Sequence, residues 1–243
     1  MTGPVSYRVA VEDIERNRWI AWLLDLPACF SSAQTESDAI ARAPGCIEAY
    51  HSWLAFHDDS LPTPGGPFET QVVETFHSFA SRDRPEYVVN AFFEDDRRPL
   101  GYWDAEAGLR LFQWTREDLL AVLQLATQEQ LDSPLHGEIG GSVAGVLKHI
   151  AGAENWYLDQ LNLALGREQL PEDPLSMLEV VRTNMRTRLV ELAGDERIFQ
   201  GDGGELWSAR KVLRRALWHE RAHTQHVRRL LTRLESGSCP ANP

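Results

Sequence analysis

The sequence predicts two parts of different class: an α+β N-terminal domain, a small antiparallel sheet with one helix over residues 1–97, followed by an all-α four-helix bundle over residues 98–236. Three observations predict it. The first hundred residues contain runs of β-branched and aromatic residues, whereas the remainder places its apolar residues at helical spacing. Helix start signals precede three of the later segments. The chain also has 243 residues and 43% apolar content, enough to bury two modest cores.

In chain order, YRVAVED (residues 7–13) and RWIAWLLDL (18–26) read as a hairpin, joined by the short polar turn Glu15, Arg16, Asn17. A helix is expected over 36–57, because Ile40, Ala43, Ile47, Tyr50, Trp53 and Leu54 recur mostly at three and four. Pro44 and Gly45 lie inside it and predict a kink or break. The segment DDSLPTPGGP (58–67) is a loop, and TQVVETFHSFA (70–80) and EYVVNAFFED (86–95) return to strand.

The first bundle helix is expected over 104–130, on Leu109, Phe112, Leu119, Leu120, Val122, Leu123 and Leu125. Ser142 caps the second, which runs through VAGVLKHIAGAENWYLDQLNLAL. Asp173 and Pro174 open the third, which ends near Ala193, and Ser208 opens the fourth, which ends near Gly237. The connections are longer than bundles usually carry, and long loops at a bundle mouth often cover a site. Residues 237–243 have no helical period and are expected to fray as a tail.

Composition narrows the partners. The net charge of −12 disfavours a long contact with phosphate backbones, so nucleic acid is not expected. One basic run opposes that balance: Arg210, Lys211, Arg214, Arg215, Arg221, Arg228, Arg229 and Arg233, with Glu220 the single acid among them. It reads as a helix face neutralised by acidic neighbours, with recognition of a small anionic substrate as the other reading. No run of apolar residues is long enough for a membrane span, and no export signal opens the chain. Cys29, Cys46 and Cys239 form no CxxC pair, which fits a reduced cytoplasm. A homodimer is left open.

The turn DLPACFSSAQT (25–35), entered from the hairpin and followed by a helix, resembles HicB-like antitoxin domains over roughly residues 5–57, with Ala28 where that family usually has glycine. No basic ribbon or helix-turn-helix for an operator accompanies it. The resemblance implies a fold more than a function. His51, His57 and His77 in this part read as surface or satisfied structural histidines.

Candidate chemistry lies in the helical half. On the fourth helix His219 and His223 interrupt the apolar stripe of Val212, Ala216, Val227, Leu230 and Leu234, four residues apart and so on one face. An imidazole in a core seam needs a hydrogen-bond partner or a metal. A third ligand would have to come from a facing helix, and His149 borders the stripe of Val146, Ile150 and Ala153. Residue types alone leave two readings: three separately satisfied histidines, or one shared ion. The L-x-H-I segment around His149, followed by W-H-E-x-x-H from Trp218 to His223, is similar to the DinB/YfiT-like family over roughly residues 100–235. That resemblance implies a four-helix bundle with a divalent ion on His149, His219 and His223, zinc or nickel being the first expectations. His226 stands where the family often has glutamine, as a fourth contact or a residue at the mouth.

His219-Glu220-Arg221-Ala222-His223 also spells the zincin HExxH motif, in which the glutamate is the general base; without a downstream HxxGxxH this is the weaker match. Glu220 is therefore the candidate catalytic residue, facing either metal-bound water or a nearby arginine such as Arg215 or Arg221. Trp156 and Trp218 are candidate pocket walls or core aromatics, and Glu154 and Asn155 candidate partners of a ligand imidazole. Three imidazoles leave a coordination position open, which makes hydrolysis and thiol transfer reachable. Relatives in the resembled family include thiol-dependent transferases and isomerases. The expected activity is therefore that of a metal-dependent hydrolase or thiol S-transferase on a small molecule, with a low-molecular-weight thiol as co-substrate. The alternatives are a metal-stabilised binding or stress protein without turnover and a HicB-like regulatory module.

Overall fold

The computed structural model describes residues 4–61 and 66–236. The chain forms two compact units, Met1–Arg98 with Glu196–Lys211, and Pro99–Asp195 with Val212–Pro243. The centre of the expected 58–67 loop, Cys239 and the 237–243 tail lie outside the described residues.

The first unit contains strands β1 (Val5–Glu15), β2 (Arg18–Leu23) and β3 (Phe30–Ala33), helix α1 (Glu36–His57) and strand β4 (Phe68–His77), with sheet order β3-β2-β1-β4. The hairpin forms as expected, β1 pairing antiparallel with β2 and turning at Asn17. The sheet is mixed rather than antiparallel: β4 runs parallel to β1. The physical reason is that α1 carries the chain from the end of β3 back across the sheet, so β4 runs in the direction of β3, which is also that of β1 because both are antiparallel to β2.

Both faces of the sheet centre are covered. Tyr7, Val9, Val11, Ala21 and Leu23 share the face on which α1 lies, where the Tyr7 hydroxyl meets His51 Nε2 at 3.2 Å and Ser31 Oγ donates to the Ala39 carbonyl at 2.5 Å. Ala10, Glu12, Ile20 and Trp22 share the opposite face, where Glu12 accepts from Trp22 Nε1 at 3.0 Å and from the Ala91 amide at 2.7 Å. Those bonds explain why the strand expected over 86–95 does not extend. Only β6 (Val88–Val89) pairs, with β5 (Phe79–Ala80). The next amides go to carboxylates instead, Asn90 to Glu205, Ala91 to Glu12 and Phe93 to Asp96, and a 3₁₀ turn follows at Glu94–Arg97. A further two-residue pair joins β7 (Phe199–Gln200) to β8 (Leu206–Trp207).

Helix α1 is continuous through Pro44, against the expected kink or break. Its buried stripe is Ala39, Ala43, Ile47 and Tyr50, while Pro44 and Gly45 lie on the exposed face, where a carbonyl that loses its helical partner can still meet water. In the turn ahead of it Ala28 adopts φ +72°, a left-handed conformation that costs a non-glycine residue roughly 1–2 kcal/mol. Cys29 N to the Leu26 carbonyl (2.9 Å) and Tyr50 Oη to the Pro27 carbonyl (2.8 Å) hold the chain there.

The second unit is helix-rich: α2 (Tyr102–Leu123), α3 (Gln128–Asp132), α4 (Val143–Asp159), α5 (Pro174–Glu191) and α6 (Ala209–Glu235), the last counted in this unit from Val212. The expected 104–130 helix divides in two, because Thr127 and Gln130 form a capping box that starts α3 afresh. The other start signals hold. Ser142 Oγ accepts from the Gly145 amide, Asp173 from the Ser176 amide ahead of Pro174, and Ser208 Oγ from the Lys211 amide. Leu119, Val146, Leu147, Ile150, Leu178, Val181, Val227 and Leu230 form one buried cluster, so all four long helices share a core. Among the described residues no helix is long and apolar enough to cross a membrane.

Candidate metal centre

The core stripes of α4 and α6 bring three histidines together. Val146, Leu147 and Ile150 bury one face of α4 and leave His149 at its edge, half-buried. On α6, Val212, Ala216, Val227 and Leu230 are buried; His219, 7% exposed, is buried with them and His223 is half-buried. One nitrogen from each of His149, His219 and His223 lies within 4.8 Å of the other two. His219 Nε2 and His149 Nε2 are 3.1 Å apart, and the His223 ring centroid is 4.3 Å from that of His219 and 4.9 Å from that of His149.

These dimensions suit a small divalent ion. Two nitrogens each at roughly 2.0–2.1 Å from a tetrahedral ion stand about 3.3 Å from one another. The His149–His219 pair has nearly that spacing. Burial pushes the His149 pKa below its ordinary value, which favours the neutral form that binds metals. Tyr157 and Trp218 place their rings 6.0 Å and 5.9 Å from His219.

The arginines that Glu220 meets are Arg116 and Arg182, from other helices. Glu220 is 1% exposed and accepts from Arg116 Nε (2.7 Å), Arg182 Nη2 (2.7 Å) and Thr115 Oγ1 (2.5 Å). Burial alone would raise its pKa, but Arg182 and Arg116 hold it below the ordinary carboxylate value. Glu154 and Asn155, expected near a ligand imidazole, are placed elsewhere. Glu154 forms a two-point pair with Arg182 at 2.7 and 2.8 Å, and Asn155 bonds both the amide and the carbonyl of Leu165. Three members of the basic run on α6 are internal or paired: Lys211 is buried on Glu205 at 2.6 Å, Arg215 lies 4.7 Å over the Trp218 ring, and Arg233 meets Glu138 at 2.9 Å, whereas Arg228 and Arg229 are exposed.

His226 reaches the site's edge. Its Nδ1 is 3.5 Å from His223 Nδ1 and its Nε2 is 2.9 Å from Glu138 Oε2. Glu138, Thr115, Arg116 and Arg182 were not among the residues singled out from the sequence. Arg116 interrupts the apolar stripe read on the first bundle helix, and Glu138 lies in a loop without any spacing signal. Comparison with family models, with curated proteins and with solved structures finds no match to this chain.

Proposed function

We propose that the second unit is a DinB-like four-helix bundle whose resident cofactor is a divalent ion, zinc or nickel, held by His149, His219 and His223. One observation carries this reading: three imidazole donors from two helices lie within 4.8 Å of one another in the core seam. Three neutral nitrogen ligands leave a coordination position for water or substrate, in contrast to closed four-ligand structural sites. A bound ion would act as a Lewis acid and bring the pKa of a coordinated water or thiol towards neutrality.

The rest of the site selects among reactions. The oxygens of Glu220 are engaged by two arginines and a threonine, so we read it as part of the framework and not as a zincin-type general base. Thiol transfer needs no such base, since a thiol that coordinates the ion loses its proton there. We therefore favour a thiol-dependent transferase on a small molecule over a hydrolase. The first unit, with its hairpin, the Asp25–Cys29 turn and α1, supports a HicB-like fold, and we assign it no separate activity.

Elemental analysis of the full chain, purified without an affinity tag, tests the metal assignment. The expected result is about one zinc or nickel per chain, lost in His223→Ala. Uptake of a thiol such as glutathione by the cobalt-substituted protein, seen as a sulfur-to-cobalt charge-transfer band, supports the transferase reading. An ion that binds but whose spectrum no thiol alters points instead to a metal-stabilised binding protein. Equal metal content in wild type and His223→Ala would remove the site.

A further inference from the structure

We infer that Glu138 and His226 form a positioning chain behind His223, which sets the tautomer and ring orientation in which His223 meets the ion. The inference rests on the metal reading above and deepens it. Its basis is the run of contacts Arg233 Nη1 to Glu138 Oε1 (2.9 Å), Glu138 Oε2 to His226 Nε2 (2.9 Å) and His226 Nδ1 to His223 Nδ1 (3.5 Å).

Donor and acceptor roles propagate along that run in one direction. A carboxylate held by Arg233 can only accept, so His226 carries its proton on Nε2. Neutral imidazole then has a lone pair on Nδ1, and the nitrogen facing it, Nδ1 of His223, must be the one that bears hydrogen. Nε2 of His223 is thereby left with its lone pair for a metal. This is how partners behind a ligand imidazole raise its basicity and fix its aim.

The far end of the chain is anchored. Glu138 lies in a tight loop closed by Leu135 N to the Gly141 carbonyl (2.8 Å), Glu138 N to the Leu135 carbonyl (3.2 Å) and Gly141 N to the Glu138 carbonyl (3.0 Å). Leu135 is buried in the shared core, and Gly140, at φ +72°, lies so close to the Gly145 backbone of α4 that a side chain there would collide with it. The loop is therefore fixed to the same helix that carries His149. The His226 side chain is 18% exposed and that of Glu138 24%, so both can be changed without opening the core.

The test is zinc affinity of the full chain, measured by competition with a chromophoric chelator, for wild type, Glu138→Gln, His226→Asn and the double variant. Each single change is expected to weaken zinc binding about 10- to 100-fold, the range found for partners behind metal ligands. The double variant is expected to be no weaker than the poorer single variant, because both act through one chain. Unchanged thermal unfolding of the metal-free variants excludes a folding defect. Long-range ¹H–¹⁵N spectra of the zinc-loaded wild type should show the His223 proton on Nδ1, and a mixture of tautomers in Glu138→Gln. Wild-type affinity in Glu138→Gln overturns the inference. If His226→Asn alone weakens binding, His226 is a direct ligand and the chain is again wrong. If wild type itself binds no zinc, the metal reading falls, and the inference with it.

Discussion

Two buried polar clusters sit within the same helical unit and are built on opposite principles. In the first, Arg116 and Arg182 face Glu154 and Glu220. Signs cancel, and further bonds reach Thr115 and the Phe112 and Leu178 carbonyls. In the second, His149, His219 and His223 turn nitrogens towards one another. The first cluster neutralises its own charge and ties α2, α4, α5 and α6 together. The second gathers like donors around a common point, which is the arrangement an ion requires. Adjacent residues on α6, His219 and Glu220, thus belong to different systems because they leave the helix about 100° apart.

The largest expected effect breaks the first cluster. Removing one partner of a buried charge set leaves the others uncompensated and costs about 3–5 kcal/mol. Glu220→Ala should therefore lower the urea-unfolding stability of metal-free protein by that amount. A loss below about 1 kcal/mol would show that the quartet does not hold the helices together. The second cluster should respond to metal and not to charge balance. Zinc at a hundred times its dissociation constant should raise stability by about 2.7 kcal/mol, as mass action requires for a ligand bound only by the folded state. Calorimetric scans with and without zinc measure it. The gain should vanish in His219→Ala; a gain of equal size in that variant would place the zinc elsewhere.

These two clusters were unequally legible in the sequence. The histidines could be found because four-residue spacing in an apolar stripe is a local pattern, and because Ser142, Asp173 and Ser208 mark where helices begin. The charge quartet could not, since its members are separated by 28 to 104 positions and an arginine on a helix reads as solvent-facing until its partner is known. The HExxH spelling pointed to Glu220 as a base for the same reason: spacing fixes the face of a helix, while the neighbour on that face is a tertiary fact. The mixed sheet was obscured similarly. Alternation identifies a strand, but the direction in which β4 returns depends on the crossover. Pro44 misled in the other direction, because its cost depends on whether the freed carbonyl faces water.

The smallest expected effect concerns Glu138, at the edge of the second cluster, with the Arg233 guanidinium on one side and the His226 imidazole on the other. Its pKa is held below the ordinary glutamate value, first by the hydrogen bond from His226, against a smaller upward push from burial, and then by Arg233. A carboxyl whose folded-state pKa is depressed contributes its stabilisation above the unfolded value and loses it as pH falls through the folded one. The side-chain carbon resonance of Glu138 should therefore titrate below the ordinary range in metal-free protein. His226→Gln should return the midpoint upward by more than Arg233→Met does, because the imidazole bond is the larger contributor. A Glu138 midpoint at the ordinary value would mean that the loop does not hold its carboxylate against α6 in solution.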